Sequence, residues 1–527
     1  MNEEAIDVLV IGSGAAGGAL TWRLAEKGVK VVCLEQGGWI DPGSMASAKT
    51  NYESHFMRGD FNFDPNVRRL PEDYPIIQKG GFNANIVMVN AVGGTTIHWQ
   101  GHFPRFHPSD FRVRSLDGVA DDWPIRYSDL EPYYDLNDQM IGVSGLSGDP
   151  ANPPRSQRPT PPLPIGKVGN TLVKGFEELG WHWWVADQAI ISEPYKDRPG
   201  CMLHGKCMFG CPIGAKASTD RTYWPLSIEK GAEVRTWSRV KEITTDKKGK
   251  AVGALYFDKN SELQEIKAKV VVVCCNGVGT PRLLLNSTSS LFPDGLANTN
   301  GVVGRNFMIH PSIFGHGEFE DTMDGHIGAF GSALMSQQFY ETDPKRDFVR
   351  GFSLIGDRTF GPYSQSRGLP WGKDHHKAFH NTFPHQVNLT AYIDDLPEAT
   401  NRVELSNEQT DAHGIPAAKV TYSLGENSKK LLEEAKLRMT EVLEAAGARK
   451  VVLPVMNGGH LMGTARMGND PTKSVVNASN QAHDVENLFI VDGSSFTTGA
   501  GVNPTSTIMA LALRAADQIW DKRREWS

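Results

Sequence analysis

The chain has 527 residues, 39% of them hydrophobic and 22% charged, with a net charge of −7 at pH 7. That is an ordinary globular composition, long enough for two or more domains with full cores. The acidic balance and the lack of a long basic run argue against a nucleic-acid partner, and no apolar run reaches the ~20 residues that a membrane-crossing helix needs.

The N-terminus passes from Met-Asn-Glu-Glu straight into an apolar run, so no cleavable signal peptide is read. The expected compartment is the cytoplasm; the alternative is the periplasm, reached with a signal-bearing partner subunit. Residues 8–38 then predict a strand, a Gly-rich turn, a small-residue helix and a second strand closing on Glu35. In this Gly12-x-Gly14-x-x-Gly17 unit Gly12 permits the tight turn, Gly14 lets the backbone approach a pyrophosphate, and Gly17 lets the helix pack on the sheet. The anion rests on the N–H groups of the helix start. The Glu35 carboxylate suits ribose hydroxyls and repels a ribose 2′-phosphate.

Residues 143–164 are rich in Gly, Ser and Pro and read as an exposed connection. Cys201, Cys207 and Cys211 fall within eleven residues, whereas Cys33, Cys274 and Cys275 sit in apolar runs and read as core. Six cysteines at this spacing do not suggest a disulfide framework. Residues 231–275 read as β structure, and the unbroken run at 269–276 as a buried parallel strand leading into a turn and helix. His375, His376, His380 and His385 lack regular ligand spacing and read as a solvated loop. Trp99, Trp371 and the aromatics of 340–385 could line a sugar pocket, although aromatics pack in cores more often. Residues 428–446 predict a helix with Ser428 as N-cap, Gly447 as its stop, and Leu431, Leu432, Ala435, Met439, Val442 and Leu443 on one face.

Two C-terminal stretches go beyond fold. One runs Gly458-Gly-His460-Leu-Met-Gly-Thr-Ala-Arg-Met-Gly468; the other pairs Asp492-Gly-Ser with Gly501-Val-Asn503-Pro504-Thr ahead of an Ala-rich helix. Pro504 suits a first helical position, which makes Asn503 a natural N-cap. Its functional reading is a hydrogen bond to a substrate hydroxyl. His460 is a natural base, since an imidazole with an ordinary pKa near 6.5 accepts a proton at neutrality, while one histidine in a Gly-rich loop also has a structural reading.

These motifs, with Gly-Gly-Thr-Thr at 93–96, Gly-Thr-Pro-Arg-Leu-Leu-Leu at 279–285, Val-Gly-Arg-Asn-Phe at 303–307 and Asn-Arg-Val-Glu-Leu-Ser at 401–406, resemble the glucose–methanol–choline (GMC) flavoprotein oxidoreductases in their order along nearly the whole chain. The resemblance implies an α/β fold: a Rossmann-like FAD-binding domain built from residues 1–110, 200–310 and 455–527, with an inserted α+β substrate-binding domain and lid from 111–199 and 311–454. It implies FAD on Gly12, Gly14, Gly17, Glu35, Gly93, Gly94, Thr95, His98, Val240, Asp492 and Pro504, and a His460–Asn503 catalytic pair on the flavin's substrate face. His310, beside Pro311 in a segment that the family also carries, reads as structural. In Gly93–Trp99 the His-Trp pair resembles pyranose oxidases and the sugar dehydrogenases related to gluconate and fructose dehydrogenase, which implies a covalent His98–FAD link against a merely packed ring. The segment Cys201–Cys211 resembles the Cys-rich loop of gluconate 2-dehydrogenase flavoproteins but carries His204 where a cysteine stands in the fuller pattern. It leaves open a three-thiolate iron–sulfur cluster, a zinc site or unligated thiols.

The expected activity is FAD-dependent oxidation of a secondary alcohol of a sugar, sugar acid or glycoside to a ketone. His460 acts as base, and electrons pass to a non-nicotinamide acceptor through a small subunit and a cytochrome c. The enzymatic alternative is a pyranose-type oxidase that uses O2 and yields hydrogen peroxide. A non-catalytic flavin-binding or redox-sensing module is a third reading, against which the paired His460 and Asn503 argue.

Overall fold

The computed structural model describes residues 6–57, 74–329, 333–456 and 458–525; the tetrapeptide on which the signal-peptide reading rests lies outside them. A seven-stranded sheet runs in the order Glu233–Arg235, Val31–Leu34, Ile6–Ile11, Leu263–Val273, Ala251–Phe257 and Arg239–Thr245, with Leu488–Ile490 also paired to Leu263–Val273. The long strand Leu263–Val273 does two jobs. Its first half pairs antiparallel with Ala251–Phe257, and its second half runs parallel to both Ile6–Ile11 and Leu488–Ile490. Val8, Leu9, Val10 and Val270 to Val273 are wholly buried, because helices cover both faces of the parallel part. The N-terminal helix Ala15–Glu26 packs against the C-terminal helix Thr505–Asp521 and against Tyr223–Glu229, so both ends of the chain join one layer.

A second seven-stranded sheet runs Lys450–Val452, Ser312–Glu318, Gln386–Ile393, Phe352–Asp357, Leu334–Ser336 and Trp184–Val185, with Val455–Met456 added to Ser312–Glu318. Side chains alternate across it. Ile313, Leu354, Leu389, Ala391 and Ile393 pack under the helices Gly166–Leu179 and Glu426–Ala445, while Ser312, Phe314 and Tyr392 face the large cavity between the sheets. A three-stranded sheet of Arg402–Thr410, Pro416–Thr421 and Ile76–Lys79 closes one side, with the last two strands parallel.

Several elements differ from expectation. The helix at 426–445 starts after Gly425, and Ser428 lies inside it, donating from Oγ to Asp395 at 2.8 Å; its apolar face is the expected one, and Gly447 takes a φ of +95° just past the end. The helix after the central strand begins at Asn276 and holds Pro281 in its interior. His375 to Thr382 form an exposed helix rather than a loop. Within 143–164, Ser144 is buried and bridges to Thr160 and Gln188, so the start of that connection is part of the core.

Two glycines make the first turn possible. Gly12 has a φ of +98°, and a Cβ there would lie 2.5 Å from the Cys274 carbonyl oxygen; a Cβ on Gly17 would lie 1.9 Å from the Gly12 carbonyl oxygen. Gly17→Ala is therefore expected to destabilise the protein by about 2 kcal/mol or more, seen as a lowered midpoint of thermal unfolding. An unchanged midpoint contradicts this account of the turn.

Candidate active site

A single cavity of about 710 Å3 runs from the N-terminal turn to the C-terminal loops. At one end its wall is Gly12, Ser13, Gly14, Glu35 and Val240; in the middle it is Gly94, Thr95 and His98; at the far end it is His460, Asp492, Asn503 and Pro504. Of the cofactor residues expected from sequence, Gly17 and Gly93 stand behind this wall: Gly17 packs on Gly12, and Gly93 holds the φ of +105° from which the turn Gly94–Ile97 starts.

The adenosine end fits a dinucleotide. The helix Ala15–Glu26 has no side-chain cap and no acidic residue in its first turn, which leaves its N–H groups for an anion. Gly94 packs so close that a Cβ on it would lie 2.8 Å from Gly14 Cα. Glu35 is buried and fixed by donors from Ser13 N at 3.0 Å, Ser13 Oγ at 2.7 Å and Gly37 N at 2.8 Å.

At the far end a second helix start opens onto the cavity. The helix Thr505–Asp521 follows Pro504 and likewise has no side-chain cap. Asn503 therefore does not act as the N-cap that its sequence position suggests. Its Nδ2 lies 3.4 Å from His460 Nε2, and its buried Oδ1 has no hydrogen-bond partner among the described residues. A buried amide oxygen left open beside a helix start is the signature of a group that a ligand completes. Asp492 is a strut: it accepts from Ser494 N at 2.7 Å, Asn276 N at 3.0 Å and Thr280 Oγ1 at 2.6 Å, and so ties the loop 492–495 to the helix Asn276–Asn286.

His460 is held from behind by a residue that sequence reasoning took as structural. His310 Nδ1 lies 2.6 Å from His460 Nδ1, and the rings meet edge to face at 4.8 Å. Only one of those nitrogens can carry the proton. Nε2 of His310 has no hydrogen-bond partner among the described residues. With the proton there, His310 Nδ1 accepts from His460 Nδ1–H. His460 Nε2 then keeps its lone pair and aims it at the cavity and Asn503. Burial, with His102 adding to it, lowers the His460 pKa to about 4, and burial lowers that of His310 well below the ordinary value. Both rings are neutral at pH 7. Tyr392 packs 5.6 Å from His460; burial first, then the Asp357 charge, hold its phenol above the usual range, and an Asn503 hydrogen bond eases it.

His98 is buried, with Nδ1 2.7 Å from the Met208 carbonyl oxygen, and its pKa is lowered to about 3, chiefly by burial. Lys216, itself fully enclosed, donates from Nζ to the carbonyls of Ile97, Trp99 and Cys207 at 2.7, 2.9 and 2.8 Å, and so clamps the His98 turn to the loop that carries Met208. In that loop Cys201 and Cys207 sit in a small apolar cluster with Leu163 and Ile190. Burial pushes the Cys201 thiol up to about 11. Cys201 Sγ accepts from Leu203 N, and Cys211 Sγ from Lys216 N, both at 3.4 Å. No group of three or more His, Cys, Asp or Glu among the described residues is arranged to hold a metal ion. Trp99 and Phe360 line the cavity, whereas Trp371 is 79% exposed and stacks on His375.

Similarity to known proteins agrees with this geometry. Family models described as GMC oxidoreductase match residues 161–312 and 397–512, and one described as an NAD(P)-binding Rossmann-like domain matches residues 10–73. The 2-methyl-1,2-propanediol dehydrogenase of Mycolicibacterium austroafricanum is 45% identical, over 97% of this chain and 95% of that one. The fructose dehydrogenase large subunit of Gluconobacter japonicus is 31% identical, over 97% of each. The crystal structure of pyridoxine 4-oxidase from Mesorbium loti shares the fold, with a TM-score of 0.69 at 16% identity over 97% of this chain and 99% of that one.

The His310 contact has a kinetic consequence. His310→Gln is expected to retain bound flavin and to lower kcat on an alcohol substrate by about 10- to 100-fold with little change in KM, because His460 loses the partner at its Nδ1 rather than its pocket. An unchanged kcat in flavin-replete variant contradicts the pairing.

Proposed function

The chain belongs to the GMC oxidoreductase family, a family of FAD-binding enzymes acting on alcohol and sugar CH–OH groups, and from that premise we propose that His460 is the general base of an alcohol dehydrogenation and Asn503 the group that holds the substrate oxygen. The observation that carries the reading is that His460 Nε2 and Asn503 Nδ2 lie 3.4 Å apart on the cavity wall, close enough for one substrate oxygen to contact both, with a His310 contact at Nδ1 that suits an unprotonated Nε2. Bound FAD supplies the two-electron acceptor for the carbinol hydrogen. The chain's own residues do the rest. Nε2 takes the hydroxyl proton, and the resulting imidazolium donates through Nδ1 to His310. The Asn503 amide donates to the oxygen as negative charge grows on it. The helix start at Thr505 places its positive end against the same wall. Tyr392 packs beside His460 with ring centroids 5.6 Å apart and, with Phe314 and Pro454, adds to the cavity lining.

The substrate is a carbinol that bears hydrogen on its carbon. A secondary alcohol of a sugar, sugar acid or glycoside has its support in the relative named for fructose. The relative named for 2-methyl-1,2-propanediol extends the class to small diols; the tertiary carbon of that diol carries no hydrogen, so only its primary carbinol can be dehydrogenated. The acceptor is proposed to be non-nicotinamide, with a small subunit and a cytochrome c as the route. That rests on the relative named a large subunit. A covalent His98–FAD bond is proposed from the neutral, buried ring at the cavity wall; flavin fluorescence that stays with the protein band on a denaturing gel supports it, and its loss overturns it.

His460→Ala is expected to keep FAD and to slow anaerobic flavin reduction by ~10²–10⁴-fold, or roughly 3–5 kcal/mol of barrier. In the parent enzyme kcat/KM for the alcohol is expected to be flat through neutrality and to fall as pH drops through about 4, where His460 takes up a proton and ceases to be a base. Unchanged reduction in the variant, measured by stopped-flow absorbance, removes His460 from the chemistry.

A further inference from the structure

The wall that faces His460 across Tyr392 holds a polar group that the dehydrogenation step does not use. Gln100 and His102 both line the cavity, and His102 lies edge-on to Tyr392 at 6.5 Å. Tyr392 itself stands 5.6 Å from His460, so one phenol ring lies next to both imidazoles. His102 Nε2 lies 2.6 Å from Gln100 Oε1 and 3.4 Å from Asp357 Oδ1. A carboxylate and an amide oxygen on the same side of the ring keep the proton on Nε2. That donation in turn fixes the Gln100 amide with its oxygen toward His102 and its nitrogen turned away. Among the described residues the nitrogen meets the Met208 thioether sulfur at 3.5 Å, a weak acceptor.

Asp357 sharpens the point. It ends the strand Phe352–Asp357 in register with Asn388, and the two-residue alternation puts it on the same face as Tyr392 and the cavity. It is 3% exposed, and among the described residues neither carboxylate oxygen makes a directed hydrogen bond. A buried carboxylate that serves only packing is unfavourable. Here it stands behind a cavity-lining imidazole and so orients it.

We propose that Gln100 and His102, oriented by Asp357, form a subsite for a second hydroxyl of the substrate, so that this enzyme selects carbinols with a neighbouring hydroxyl, vicinal diols and polyols, over simple alcohols. This rests on the dehydrogenation proposed above and goes beyond it by naming what the pocket discriminates. The Gln100 amide N–H, facing a thioether when no substrate is present, donates to the second hydroxyl. A substrate that lacks that hydroxyl leaves the amide with its weak sulfur partner and a buried polar wall unmatched, and discrimination of this kind is much larger than a missing methylene produces.

The test compares 1,2-propanediol with 1-propanol as reductants of the flavin in the holoenzyme, under anaerobic conditions and with the same dye acceptor. The parent enzyme is expected to favour the diol in kcat/KM by at least ~100-fold. Gln100→Met and Asp357→Asn, each with flavin content and unfolding midpoint checked, are expected to shrink that ratio at least tenfold. Gln100→Met removes the donor directly and Asp357→Asn the orienting charge, so poor folding of one leaves the other decisive. A ratio near one in the parent enzyme, or a ratio that neither folded variant moves, overturns the subsite while leaving the dehydrogenation in place. If neither compound bleaches the flavin, and a panel of sugars does not either, the dehydrogenation itself falls and the subsite with it.

Discussion

The base proposed here must work at neutral pH, which needs a lone pair that faces the cavity and a proton that faces away from it. The contact between His310 and His460 suits both. Burial alone lowers the proton affinity of His460 and keeps it neutral, but a neutral imidazole has two tautomers, and only one of them is a base toward the substrate. A second neutral ring behind it, with the two Nδ1 atoms 2.6 Å apart, can accept the His460 Nδ1 proton and so favour that tautomer without a carboxylate at that position. A carboxylate there would hold the imidazolium more strongly. It would also place a fixed negative charge near a cofactor that gains negative charge on reduction.

The remainder of the fold serves that contact by bringing distant segments together. His310 leads into the strand Ser312–Glu318 of the second sheet, His460 lies on the loop after Val455–Met456, and Asn503 precedes the C-terminal helix. Buried ionic contacts fasten these pieces. Arg350 is 1% exposed and reaches Asp394 at 2.9 Å, Asp117 at 3.4 Å and Asp110. Asp395, raised to about 7 by burial, accepts from Tyr422, Ser428 and the backbone N–H of Ile309. The last of these bonds lies one residue from His310, so the strand that carries the positioning ring is pinned by a buried carboxyl. Gly499 packs against Asp394 Oδ1 at 3.2 Å from its would-be Cβ, and against His310 Nε2 at 3.6 Å. The loop that presents Asn503 thus packs against Asp394, which Arg350 holds, and against His310 itself.

The parts legible in the sequence are those fixed by local rules. The Gly12–Gly17 turn follows from glycine spacing and an apolar strand, and the helix face from Leu431 to Leu443 follows from helical periodicity. His460 and Asn503 stand in Gly-rich loops and were singled out by chemistry and by order along the chain. What was not legible depends on distant pairs. His310 was read as structural because a histidine before a proline has a local explanation, and its partner lies 150 residues away. Gln100, His102 and Asp357 carry no motif; only the alternation along a strand and the pairing of two sheets bring them to one wall. Ser428 had the right side chain for a cap, but a buried carboxyl at Asp395 took its hydroxyl, and Gly425 starts the helix instead. The Cys201–Cys211 spacing left ligated and unligated thiols both open, and spacing alone does not decide between them; Cys201 and Cys207 pack in an apolar cluster, and Cys201 and Cys211 accept from backbone N–H groups.

The most direct measurement is the protonation of His460 itself, read by 15N NMR of histidine-labelled holoenzyme at pH 7, with the resonance assigned by its loss in His460→Gln. The account expects a protonated Nδ1 and an unprotonated Nε2, with no imidazolium present. A proton on Nε2, or a charged ring at that pH, contradicts the claim that this imidazole is poised as the base.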